Sequence, residues 1–489
     1  MGRLLNVVAD PRGLRVGAAI ALAGVLVAGS LSLAEAEAER APEARATPAA
    51  TCGPGSRPET TRLQGRVPTA DFASGRYRRG YTCNARQVGR HGRTGGFKTL
   101  RYTDSRGNTC AYYDSTRILG TDVEQNLRNG TGLGVVVLDM NRPGRPRKTD
   151  NLVSPAMLSP HESLLLNERR GLLVAVMGTV ATAPGVLDVY DVRRNCRHPR
   201  LLSSTLNGVL GHESGFSPDG RTFWSAGAAG FTMTAVDLSR PRDPETLLVE
   251  AGVVAHGIRF SGDGRTMYVA DMGSPSTTSV LDDPGLRVYD VSEVQDRVDD
   301  PEIELLSVTD WPSVSIPQVA EPFRRGGRSY VLEVDEFTDW FGDGFSVDLS
   351  GGPVGAARII DVTDPTAPQV VSDIRLQVHQ RSQRTKAVLA DPGNDLPIGG
   401  YSVHYCSVPQ RRAPRLAACS MIGSGLRVFD IRDVAHPREV AYFNRPGPDG
   451  ANAVSRPAWD RRHRSIWYTD GTSGFWAVRL TNGVGRLLR

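Results

Sequence analysis

Lysine is nearly missing from this chain. Only Lys98, Lys148 and Lys386 stand among 58 basic residues, so arginine carries almost all the positive charge. The formal net charge of +5 is small for 489 residues, and no dense basic run occurs. The basic footprint that nucleic-acid binding needs is therefore lacking, and no nucleic-acid partner is expected. Aromatic residues make up 7 % of the chain and are scattered. Long apolar stripes at a helical period are missing, which argues against a helical bundle. A G-x-S-x-G elbow between a strand and a helix is also missing, which argues against an α/β-hydrolase. The one glycine-rich string, Gly130-Thr131-Gly132-Leu133-Gly134, opens no βαβ unit, so a dinucleotide site is not expected.

Long hydrophobic runs are lacking too, with one exception. Val16–Leu33 is apolar, follows Arg3, Arg12 and Arg15, and leads into Ala34-Glu35-Ala36. A basic start, an apolar centre and small residues at alternate positions form a secretory signal over 1–36, cleaved after Ala36 or Ala38; the alternative is an uncleaved anchor, the chain's one contact with a membrane. Residues 37–60, rich in Ala, Glu, Pro and Thr, read as a disordered linker, and 61–489 as one domain. The expected location is outside the cytoplasm, secreted or at the cell surface. There the six cysteines are expected to form disulfides. Fifteen connectivities are possible. The nearest pairs are Cys83 with Cys110 and Cys406 with Cys419, which leaves Cys52 with Cys196.

What the chain has in abundance is a repeat. Three or four alternating β-formers, an Asp and a Pro-containing turn recur at Asp139, Asp191, Asp237, Asp290, Asp361 and Asp430. A seventh copy, FWAVRL, carries Arg479 instead. Copies lie 46 to 71 residues apart, a period that suits one blade of four short strands rather than a helical repeat. Most copies follow a hairpin such as FSPDGRTFWSA (Phe216–Ala226) or FSGDGRTMYVAD (Phe260–Asp271), whose Gly supplies the positive φ of a tight turn. These hairpins are strands A and B; the Asp-ending runs are strand C, and PEIELL and REVAYF are strand D. The expected fold is an all-β propeller of seven four-stranded blades. The sequence leaves open whether the segment near Leu63–Pro68 closes the ring.

GLRVFDIRDVAHPREVAYF and ARIIDVTDPTAPQVVSDI resemble LVIVD repeats, in which a β-run, an Asp, a turn ending in Pro and a second β-run follow one another. Related copies cover most of the chain from about residue 100 onward. The resemblance implies a surface or secreted propeller and no settled activity. HGIRFSGDG is also similar to strand A of surface-layer and of selenium-binding, methanethiol-oxidase-like propellers, where the likeness implies hub histidines that hold metal.

Blade topology sorts the connections onto two faces. A–B and C–D turns share one face and are short, and their Pro and Asp residues are explained by turn chemistry. B–C loops (115–131, 272–284, 336–356) and a D–A loop (381–399) are long and share the other face, where binding usually resides. His161, His212, His256 and His404 stand on that face, each four residues before the matching apolar position of a strand A, Leu165, Phe216, Phe260 and Val408. Glu162 and Glu213 follow two of them; Asp114, Asp271 and Asp470 end strand B there, with Asp335-Glu336 one step out of line.

A histidine at strand entry satisfies buried backbone well, so a repeated packing device explains the register. A hub site for zinc, copper or iron explains it too, since imidazole suits all three. Two functions follow: a binding module for an extracellular ligand or protein through the long-loop face, or a metal-dependent oxidase or hydrolase. In the second, the four histidines are ligands, and the acidic residues assist as further ligands, orienting groups or acid–base groups.

Overall fold

The computed structural model describes residues 44–488 except 117–132, 159, 178–184, 209–210, 228–231, 276–280, 283, 312–315, 337–354, 395–399 and 448–452. The expected signal segment and much of the long loops lie outside the described residues. The folded unit spans Glu43–Arg489. No helix among the described residues is long and apolar enough to cross a membrane.

Turn chemistry sets each blade. In blade 3, Glu213–Phe216 leads through a Pro-Asp-Gly turn into Thr222–Gly227. Gly220 takes φ 73°, which a side chain would disfavour, and Asp219 Oδ1 accepts the Arg221 N–H at 2.9 Å. Seven antiparallel sheets of four or five strands result, together with one small extra hairpin. Strand A of blades 1 to 7 is Thr99–Thr103, Leu165–Asn167, Glu213–Phe216, Ala255–Phe260, Ile316–Arg325, Tyr405–Ser407 and Ala458–Asp460. The chain is a seven-bladed propeller.

Each repeated Asp ends a strand C, and its Oδ1 accepts the N–H two residues on at 2.7–3.0 Å. This Asx turn starts the path to strand D. The departure at Arg479 now has a reason. Strand D of blade 7 is Ala85–His91, from the other end of the domain, paired antiparallel with strand C, Gly474–Leu480. The chain after strand C does not turn back into a strand D there, so no Asp is needed. Ala85–His91, and not the segment near Leu63–Pro68, closes the ring.

Just before it, Tyr81–Cys83 adds a fifth strand to blade 6 by pairing with Arg438–Asn444. Residues 44–60, expected within a disordered linker, instead run along blades 5 and 6. The Thr47 N–H donates to the Arg375 carbonyl at 2.8 Å, and the Glu439 N–H to the Pro48 carbonyl at 3.0 Å.

The disulfides are Cys52–Cys83, Cys110–Cys196 and Cys406–Cys419. The last joins directly paired residues of strands A and B in blade 6. The other two correct the expectation. Cys83 lies on the edge of blade 6 and Cys110 on strand B of blade 1, so sequence proximity does not bring them together. Cys110 instead faces Cys196 in the C–D turn of blade 2. Three disulfides point to an oxidising, extracytoplasmic location.

Candidate metal centre at the propeller hub

Strand A lines the axis, so whatever begins it faces the hub. The His212 N–H donates to the Ala226 carbonyl at 2.6 Å and the His404 N–H to the Ser420 carbonyl at 3.0 Å, extending the A–B ladders to the rim of the channel. In blade 4 the register shifts between Ala255 and Ile258, at His256. In blade 5 it shifts between Pro317 and Val319, at Gln318. Bulges re-aim a side chain without ending the strand, and here they turn His256 and Gln318 inward. His161 enters blade 2 at φ 51°.

The side chains of four blades meet. The His161 ring centroid lies 4.4 Å from that of His212, which lies 4.8 Å from that of His256. Phe97 closes the chain of rings, 4.6 Å from His161 and 5.0 Å from His404. Glu162 sits among them. Its Oε1 is 3.1 Å from His404 Nε2 and accepts a hydrogen bond from Gln318 Nε2 at 2.7 Å. Its Oε2 is 3.5 Å from Nε2 of both His212 and His256. Glu336 reaches His256 Nε2 at 3.2 Å and His404 Nε2 at 3.1 Å. His404 Nδ1 faces the Val454 carbonyl, an outer bond that turns Nε2 toward the carboxylates.

The other acidic candidates do different work. Glu213, beside His212, turns into a second layer, where Lys98 Nζ lies at 2.6 Å, the Tyr405 hydroxyl at 2.6 Å and Arg259 Nη2 at 3.1 Å. Asp335 takes Arg358 at 2.7 Å and the Trp311 indole N–H at 3.0 Å. Adjacent residues of a strand point to opposite faces, so Glu336 reaches the hub and Asp335 does not. Asp271 pairs with Arg287. Asp114 and Asp470 hold their own loops, accepting the Thr116 N–H at 2.8 Å and the Thr472 N–H at 3.0 Å. Cys406 and Cys419 are tied to each other and free of the hub. Gln318 and Phe97 were missed by the sequence reading. Gln318 is blade 5's counterpart of the histidines, displaced by its bulge.

Charge is unevenly shared among the rings. Burial works against a charged His404, but its hydrogen bonds to Glu162 and Glu336 outweigh this and push its pKa up to about 10. His256 is also raised, burial being overcome by the charge of Glu162 and then by Glu336. His161 is held well below the usual range by burial and then by His212, and His212 is lowered by burial and then by His256. Glu162 and Glu336 are held low despite burial. Two carboxylates thus stand beside two neutral imidazoles and two that gather protons.

Two groups have donor atoms within 4.8 Å of one another, as a metal ion needs: His161, Glu162 and His212, and Glu162, Glu336 and His404. His161 Nδ1, His256 Nδ1 and Glu162 Oε2 are buried without a hydrogen-bond partner among the described residues. Buried polar atoms are normally satisfied. Both groups share Glu162, and unsatisfied nitrogen and oxygen atoms such as His161 Nδ1 and Glu162 Oε2 suit a borderline divalent cation. These residues can hold one.

No family model matches the chain, and no curated protein does. Solved propellers match in fold. Hydrazine synthase of Kuenenia stuttgartiensis superposes with a TM-score of 0.50 at 11 % identity, over 80 % of this chain and 97 % of that one. The periplasmic gluconolactonase of Pseudomonas aeruginosa gives 0.43 at 14 % identity, over 71 % and 92 %. A putative 6-phosphogluconolactonase of Bacteroides fragilis gives 0.44 at 11 %, over 70 % and 88 %. The likeness is one of fold.

Proposed function

We propose that this protein is an exported propeller whose hub binds a divalent transition metal ion and uses it, as a Lewis acid or to activate water, on a ligand entering from the long-loop face. The observation that carries this reading is the meeting of His161, His212, His256 and His404, one from each of four blades, around the buried Glu162. Four imidazoles and a carboxylate suit zinc, iron or copper. Glu336 would orient His256 and His404. His161 and His212 are the least buried of the four, so the open position of the metal would lie on their side.

Elemental analysis of purified protein is the test. The wild type should carry metal, or take it up after chelation, and His212→Ala with His256→Ala should lose at least 100-fold in affinity while the blades stay folded. Equal uptake by wild type and double variant, or none by either, would overturn the reading. The position of the long B–C and D–A connections around the same face, with the likeness to LVIVD repeats, supports a second reading as a surface binding module for an extracellular partner. That reading requires no metal.

A further inference from the structure

The opposite face carries a cleft of its own. The A–B turns of blades 4, 5 and 6 enclose about 720 Å³, within the range of pockets that hold small organic ligands. Four arginines line it: Arg324 and Arg325 from blade 5, Arg411 and Arg412 from blade 6. The backbone fixes them side by side. The Arg324 N–H donates to the Arg411 carbonyl at 2.7 Å, and the Ala413 N–H returns to the Arg324 carbonyl at 2.7 Å. Arg325 Nη2 donates to the Pro414 carbonyl at 2.8 Å. Like charges are thus locked together by hydrogen bonds that do not neutralise them.

Among the described residues one carboxylate, Asp263, lines the cleft against these four arginines. No carboxylate among the described residues lies in salt-bridge contact with any of the four. Asp263 accepts hydrogen bonds from Ser261 Oγ and the Arg265 N–H, the latter at 3.2 Å, both at Oδ1, and makes no salt bridge to the four. The buried carboxylate that acts on Arg411, Glu321, is already shared by Arg456 at 2.8 Å and Arg259 at 3.5 Å. Behind it Glu213 is held by Arg259 and Lys98, so this buried layer has three cations to two carboxylates. Burial lowers the pKa of Arg411; Glu321 opposes this, and Arg259 and Arg456 add to it. Three largely buried aromatic residues form the cleft's floor: Tyr268, with Phe323 and Tyr330 stacked at 5.4 Å.

We propose that this cleft is a binding site for a small organic dianion, whose acid groups pair with the guanidinium forks of Arg324, Arg411 and Arg412 and whose flat body lies against the aromatic floor. Guanidinium groups match carboxylate and phosphate oxygens two to two, and in a cleft such pairs are stronger than on an open surface. The site shares no residue with the hub and does not depend on a metal there.

Titration calorimetry of the full chain at low salt decides the matter, with benzene-1,3-dicarboxylate and phenyl phosphate as probes; both are flat dianions, and the tighter one identifies the acid. One equivalent should bind per chain, and 0.5 M NaCl should weaken it, as screening requires. Arg324→Gln with Arg412→Gln should lower affinity at least tenfold; both side chains are exposed, and an unchanged melting temperature would confirm that the fold is kept. Arg240→Gln, on an exposed turn of blade 3, should change nothing. Absence of binding by both probes, or equal affinity in the double variant, would refute the site. Loss of binding in the His212→Ala, His256→Ala protein alone would also refute it, by moving the anion to the hub.

Discussion

Asp114 ends strand B of blade 1, fully buried, and one of its oxygens has no partner among the described residues. Burial drives its pKa from 3.8 up to about 8, against the opposing hydrogen bonds of Thr116. The folded protein therefore keeps a proton that the unfolded chain sheds near pH 4. Stability attributable to this group falls as pH rises from about 4 to about 8 and is lowest above that. Asp114→Asn keeps an acceptor for the Thr116 N–H and removes the titration. It should gain a few kcal/mol over wild type at pH 8.5 and nothing at pH 4, an order-of-magnitude expectation from so large a shift. Denaturant unfolding at the two pH values measures the difference; a constant difference would place the cost elsewhere. Asp114 also shows the limit of reading a register: it stands in line with Asp271 and Asp470, and all three serve their own loops or a neighbouring arginine. The histidine register was legible because strand A must line the axis. Gln318 was not legible as a hub residue because a bulge turns it inward, and the choice between Asp335 and Glu336, both candidates, was decided by which of two adjacent side chains faces the axis.

The strands and turns behaved as local chemistry dictates. Asp-Gly turns gave the A–B hairpins of blades 3 and 4, and the Asp at the end of strand C gave an Asx turn. Cysteine pairing did not follow local order, since it depends on which blades are neighbours. The chain-entropy picture then ranks the three bridges by the loops they close, 13 residues for Cys406–Cys419, 31 for Cys52–Cys83 and 86 for Cys110–Cys196. These correspond to about 3, about 4 and about 4.5 kcal/mol. Replacing both cysteines of a pair by serine should destabilise in that order in urea unfolding. Equal losses from all three would mean that local packing, and not loop closure, dominates.

At the scale of the whole molecule, closure by Ala85–His91 joins the two ends of the domain in one sheet. Without it, strand C of blade 7 presents a free edge, and Trp476 and Val478, buried in the structure, lose their cover. Deleting residues 1–43 should leave the unfolding transition unchanged, because the contacts that hold residues 44–91 remain. Deleting 1–91 should abolish cooperative unfolding and leave aggregating protein, as unpaired strand edges do. A soluble, cooperative 92–489 fragment would show that the ring holds without its closing strand.

The sequence by itself determined the blade count, the hairpins, the Asx turns and the row of histidines at strand entry, since each follows from alternation and turn chemistry within about fifty residues. Only the tertiary structure decided which strand closes the ring, which cysteines meet, and that Glu162, Glu336 and Gln318 complete the hub while Glu213 turns away. Those outcomes depend on distances between residues far apart in the chain and on single-residue bulges, and a one-residue shift in a strand moves a side chain to the opposite face.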